Sequence, residues 1–141
     1  MLARMMPRFS PFALFALRLV IGFTFMATGL SKFQNLQSTE LFFGSLGLPV
    51  PGVLALVVAV VEAVGGFLVV IGLLTRYMNV LHIIVLIVAI ITVKLNTGFV
   101  PGGAPGVGFE LDLLMMTGSF VLLTFGSGAL SVEGNVLRRE F

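Results

Sequence analysis

Val53–Leu74 reads VLALVVAVVEAVGGFLVVIGLL, 22 residues with one ionisable group, Glu62, near the middle. As a helix rising about 1.5 Å per residue it runs roughly 33 Å, enough to cross a bilayer core of about 30 Å. Fifteen of its residues are Val, Leu, Ile or Phe. Their insertion gain of about 4–9 kcal/mol outweighs a cost of roughly 3 kcal/mol for one central carboxylate. The stretch is therefore a membrane helix that keeps an acid at depth, where an ionisable group is a functional-site candidate by default. Such a group needs a counter-charge, and the rest of the chain offers several.

The composition agrees with a membrane protein. Of 141 residues 58% are apolar and only 10% charged, far below the quarter usual in soluble domains. The length is that of one domain, so residues 1–141 read as a single membrane domain. A net charge of +2, with its arginines scattered, does not point to nucleic acid. The chain has no cysteine, which excludes disulfides, thiolate metal sites and thiol redox chemistry of its own. No phosphate loop, dinucleotide fingerprint or metal-ligand cluster is present, so neither a metal nor a covalently bound cofactor is expected. Haem would need a second axial donor beside His82, and no methionine spacing supplies one. With no tryptophan and the single Tyr77, the interfacial aromatic belt falls to 14 phenylalanines.

Hydropathy predicts an all-α, four-transmembrane-helix bundle with helices at about 12–31, 53–74, 77–95 and 109–126. The basic start, with Arg4 and Arg8 before an apolar run, also has the form of a signal peptide. The run is long for one and contains Arg18, so a first span is the better reading. Between spans one and two, Ser31–Pro51 reads as a loop holding a short interfacial helix, ended by FFGSLGLPVPG. Thr75 and Arg76 are expected to form the tight turn into the third helix. Asn96–Gly108 holds five glycines and two prolines in 13 residues and is a loop. The fourth helix is short, roughly 26 Å, which puts Glu110 and Asp112 in the outer leaflet or its headgroups. Gly126–Phe141 leaves the membrane. Arg4, Arg8, Arg76, Arg138 and Arg139 fall on one side, Lys32 and Lys94 on the other. The basic side is cytoplasmic, so both termini are cytoplasmic. In a bacterium the location is the inner membrane, multi-pass.

Two helical faces carry small and charged residues together. Arg18, Gly22, Phe25, Gly29 and Lys32 recur at spacings of four and three, and so do Ala55, Ala59, Glu62 and Gly66. Small residues let membrane helices approach closely, so these faces are expected to pack, with Arg18 meeting Glu62. Depths counted from the span ends differ by roughly 6 Å, within reach of an arginine. Asp112 is expected to pair with Lys32, and Glu110 with Lys94. Lys94 otherwise snorkels outward. In the third helix His82, Ala89, Thr92 and Asn96 share a face. Arg18, Glu62 and His82 are the candidate ligand-binding residues. The alternative is that all these charges only hold the bundle together.

Four segments in order then suggest a family: RLVIGFTFMATGLSKF (Arg18–Phe33), EAVGGFLVVIGLLTR (Glu62–Arg76), GFELDLL (Gly108–Leu114) and GSGALSVE (Gly126–Glu133). Together they resemble the DoxX family of small four-helix membrane proteins. The family's basic Arg18 and Lys32, acidic Glu62 and G-[FY]-E signature at Gly108–Glu110 are present, while Glu133 stands near the usual closing aspartate. The resemblance implies a subunit of a membrane oxidoreductase system. One branch of the family is similar to a quinone-reducing thiosulfate oxidoreductase, another is associated with a superoxide dismutase and a sulfurtransferase. A quinone is then the expected ligand, held in an apolar slot with a few donors and acceptors. With no redox centre in the chain, electrons would come from a partner protein. The competing expectation is a non-catalytic scaffold or anchor that recruits a partner, or a second copy of itself, in the lipid bilayer. A transporter is the weaker third reading, since four helices offer little pathway.

Overall fold

A computed structural model describes residues 10–96, 98–99 and 108–137. Arg4, Arg8, Arg138 and Arg139, on which the orientation argument leans, lie outside these residues, as do positions 97 and 100–107 of the glycine-rich loop. The described residues are all helical or irregular, without a strand. The helices are α1 (Ser10–Gln34), α2 (Leu36–Ser45), α3 (Pro51–Ile71), α4 (Thr75–Ala89) and α5 (Glu110–Phe125). α4 runs on as a π-helical turn, Ile90–Lys94, and a second π-helical segment, Glu133–Leu137, follows α5.

Three helical stretches are long and apolar enough to cross a membrane: Ser10–Gln34, Pro51–Ile71 and Thr75–Lys94. Large apolar side chains such as Val20, Phe23, Val53, Phe67 and Ile84 are exposed on them, as a lipid environment requires. α2 is the short helix expected between the first two spans. Pro51 opens α3, a position where its missing N–H costs nothing.

The turn into α4 lies earlier than Thr75–Arg76. Gly72 takes the left-handed conformation (φ 72°) and ends α3, with the Leu73 N–H returning to the Leu68 carbonyl at 2.9 Å. This glycine closure leaves Thr75 and Arg76 already inside α4. The free N–H of Thr75 is taken by Glu133 Oε1 at 3.1 Å.

α1, α3, α4 and α5 pack as a ring, each against the next, with α2 laid along α3. Ile21, Phe25, Val69, Leu86, Met115 and Leu122 form the core. The α1–α3 contact is backbone to backbone. A Cβ on Gly66 would run into Met26 N, and one on Gly29 into Ala63 N. The two small-residue faces thus meet as expected.

The tail does not simply leave. Ala129 N–H donates to the Pro11 carbonyl at 3.1 Å and Glu133 N–H to the Gly72 carbonyl at 3.1 Å. The start of α1, the α3–α4 turn and the tail therefore close one end of the bundle together.

Candidate functional site

The α1–α3 register decides which charges meet. Gly22 lies against Gly66, and Gly29 against Ala63. In an antiparallel pair that puts Arg18 level with residues 70–74 and Glu62 level with residues 26–30. Arg18 and Glu62 are thus several turns apart, and the expected pair does not form. Lys32 answers Glu62 instead, Nζ to Oε2 at 2.5 Å, with the carboxylate side chain 7% exposed and the lysine 28%. Lys32 is still inside α1 and reaches down the helix to the acid.

The other two expected pairs also give way. Asp112 takes Lys94, Oδ2 to Nζ at 2.6 Å. α5 returns antiparallel beside α4, and the π turn at Ile90–Lys94, closed by Leu95 N–H to the Ile90 carbonyl, turns Lys94 toward it. Glu110, two residues before Asp112, sits about 200° around the helix. Its backbone N–H donates to the Phe99 carbonyl at 3.2 Å, and its buried Oε2 has no hydrogen-bond partner among the described residues.

Both ion pairs line one cavity of about 470 Å3 between α2, α3, α4 and the start of α5. Lys32, Glu62, Lys94, Asp112 and Thr92 are its polar lining, and the rest is apolar, including Phe42 and Phe43 of α2, Val61, Leu86 and Ala89. Val57, Leu81, Ile84 and Val88 line it and are also exposed on the outer surface, so its mouth opens between α3 and α4 on the lipid-facing side. The volume falls in the usual range for small-molecule sites, as does the lining of apolar groups with a few polar ones. Each lysine is neutralised by its carboxylate, so the wall offers donors and acceptors without net charge. That suits a neutral ligand with polar ends.

Of the three candidate ligand-binding residues only Glu62 reaches this cavity. His82 lies behind its wall. The ring is fully buried and stacks on Phe25 with centroids 3.7 Å apart and planes 10° off parallel. Its Nε2 is 3.3 Å from the Val61 carbonyl. A carbonyl only accepts, so Nε2 carries the hydrogen and Nδ1 is left as a lone pair. Gly65 makes the room, since a Cβ there would lie 2.8 Å from Nε2.

Arg18 belongs to the tail. It is wholly buried and donates to two carbonyls, Ser127 at 2.5 Å and Leu130 at 3.0 Å, with its guanidinium 5.2 Å from the Phe15 ring centroid. Gly72 gives it space, a Cβ there standing 2.6 Å from Nη1. Glu133, also buried, joins the same end by binding the Thr75 N–H. Sequence reasoning missed Phe42, Phe43 and Thr92 as lining and Glu133 as a cap. Thr92 was within reach, because it shares the His82–Ala89 face.

A family model named DoxX matches residues 13–95. The chain is 43% identical over 122 residues to "Putative oxidoreductase CatD" of Bacillus subtilis (strain 168), covering 86% of this chain and 85% of that one. It is 35% identical over 138 residues to "Uncharacterized membrane protein Rv3486" of Mycobacterium tuberculosis (strain ATCC 25618 / H37Rv), covering 92% and 84%. No solved structure matches the chain significantly.

Proposed function

The chain belongs to the DoxX family, and from that premise we propose that it is a quinone-interacting subunit of a membrane oxidoreductase system in the bacterial inner membrane. The observation that carries this reading is the cavity itself. It is apolar, of ligand size, opens on the lipid-facing side, and has two lysine–carboxylate pairs in its lining. A quinone is an apolar ring with two carbonyl acceptors, and it brings its own capacity for two electrons and two protons. Lys32 and Lys94 are the ammonium groups available to donate to those carbonyls. Glu62 and Asp112 hold each lysine in place and are the carboxylates able to take or release a proton beside it. Phe42 and Phe43 of α2 supply aromatic surface for the ring. The electrons come from a partner protein, and the oxidoreductase name carried by the Bacillus relative is in keeping with this role.

The topology proposed with this function is four spans with both termini cytoplasmic. α5 is 16 residues, roughly 24 Å, short of a full bilayer core, yet it closes the ring against α1 and α4. The cavity then lies in the outer half of the membrane, and the tail end, with Arg76 beside it, in the inner half.

The test is equilibrium dialysis of a short-chain naphthoquinone and a short-chain benzoquinone against the protein in lipid nanodiscs. Saturable binding is expected for at least one. Losing one charge-assisted hydrogen bond, worth about 1.5–3 kcal/mol, should weaken it by about tenfold or more. That weakening is expected in both Lys94→Met and Glu62→Gln. Absence of saturable binding, or binding indifferent to both changes, overturns the reading. A stoichiometric protein partner retained by those same variants would then favour the scaffold role.

A further inference from the structure

A row of polar side chains runs through the middle of the bundle and forms no part of the cavity wall. α4 carries Thr75, Asn79 and His82 at spacings of four and three, which places them on one helical face, and all three are fully buried. Ser119, on the neighbouring α5, is fully buried too. Each keeps one polar atom without a hydrogen-bond partner among the described residues: Thr75 Oγ1, Asn79 Oδ1, His82 Nδ1 and Ser119 Oγ. Asn79 has spent its amide on the Thr75 carbonyl at 2.7 Å, so its oxygen is left over. His82 has spent Nε2 on the Val61 carbonyl.

A buried polar atom left unmade costs about 1–3 kcal/mol, and three on one face of α4, with a fourth on α5, are hard to explain as packing. Valine, leucine or alanine would fill the same space. Polar interiors of this kind hold ordered water, each molecule making about three hydrogen bonds to otherwise unpaired groups. The spacing suits it. Along the axis Thr75 and Asn79 are about 6 Å apart, and Asn79 and His82 about 4.5 Å, while one water with two hydrogen bonds of about 2.8 Å spans roughly 5.6 Å.

We propose that this face of α4 binds a short file of water that connects His82 to the end of the bundle closed by the tail, and that the imidazole exchanges its proton through it. At the tail end the file meets Thr75, whose N–H is held by Glu133, with Arg18 buried alongside. At the other end His82 offers Nδ1 to the file and points Nε2–H at the carbonyl of Val61, a cavity-lining residue. A proton taken at Nδ1 makes the ring an imidazolium with a hydrogen on each nitrogen, and Nδ1 gives it back to the file, because the Val61 carbonyl accepts a hydrogen bond from Nε2 but no proton.

His82 is the only histidine in the chain, so a 15N-histidine label reports it alone. The full chain in lipid nanodiscs, with no quinone added, is examined by NMR. The Nδ1 shift should be that of a hydrogen-bonded acceptor, and at acidic pH Nδ1 should exchange protons with water despite complete burial. Thr75→Val, Asn79→Leu and Ser119→Ala should each slow that exchange by about tenfold or more, because exchange would then wait on local opening of the bundle. Thr92→Val in the cavity should leave it unchanged. Three results overturn the proposal: a wild-type ring protected for hours, exchange indifferent to all three seam changes, or exchange slowed mainly by Thr92→Val, which would mean entry from the cavity. Thr75→Val keeps the side-chain shape and Ser119→Ala removes a single atom, so they decide the matter even where Asn79→Leu disturbs α4.

Discussion

Glu62 is held by Lys32 at 2.5 Å and is nearly out of contact with solvent or lipid. Removing one member of such a pair strands the other, at about 3–5 kcal/mol in soluble proteins, whereas removing both leaves only apolar packing to repair. Lys32→Met and Glu62→Leu singly should therefore lower thermal stability in nanodiscs more than the two together. Arg18→Met combined with Glu62→Leu should instead be additive within about 0.5 kcal/mol, since Arg18 binds the Ser127 and Leu130 carbonyls. Strong coupling between Arg18 and Glu62 would mean that they do touch. At this scale the charges themselves were legible: Arg18, Lys32, Glu62, Lys94 and Asp112 all stand out of apolar runs. Their partners were not, because a lysine or arginine spans several ångströms and depth counted from an approximate helix end errs by as much.

At the scale of the element, the small-residue faces of α1 and α3 were readable from spacings of three and four, and they do meet. The same faces contained the answer to the pairing. Gly22 set against Gly66 fixes a register, and that register carries Arg18 past Glu62 to Gly72. Gly66→Ala and Gly29→Ala should each destabilise the bundle by at least about 1–3 kcal/mol, because the added Cβ meets backbone atoms that cannot swing aside. Gly44→Ala on the exposed α2 is the control: its Cβ would find only Pro51 Cγ at 3.7 Å, and alanine favours a helix by up to about 1 kcal/mol over glycine. Unfolding monitored by circular dichroism separates the two outcomes. The turn at Gly72–Leu74 and the π turn at Ile90–Lys94 were not legible. Each depends on a contact made elsewhere, the first on Glu133 capping Thr75 and the second on Asp112 drawing Lys94.

For the whole molecule, the absence of cysteine makes the proposed topology directly measurable. Ser45 and Val136 are both exposed. Ser45→Cys should react with a membrane-impermeant maleimide from the cell exterior, and Val136→Cys only after permeabilisation. Labelling of both from the same side would rule out α5 as a fourth span. By itself the sequence determined that the chain is helical and membrane-embedded, and which few ionisable groups interrupt its apolar runs. These follow from transfer energies and periodicities summed within one segment, which need no knowledge of neighbours. Only the tertiary structure decided that Lys32 answers Glu62, that two ion pairs share one cavity between α3 and α4, and that Arg18 is buried under a tail more than a hundred residues away. Those outcomes depend on the rotation and register of segments far apart in the chain, set by where glycines let backbones touch and by which buried polar groups then find each other.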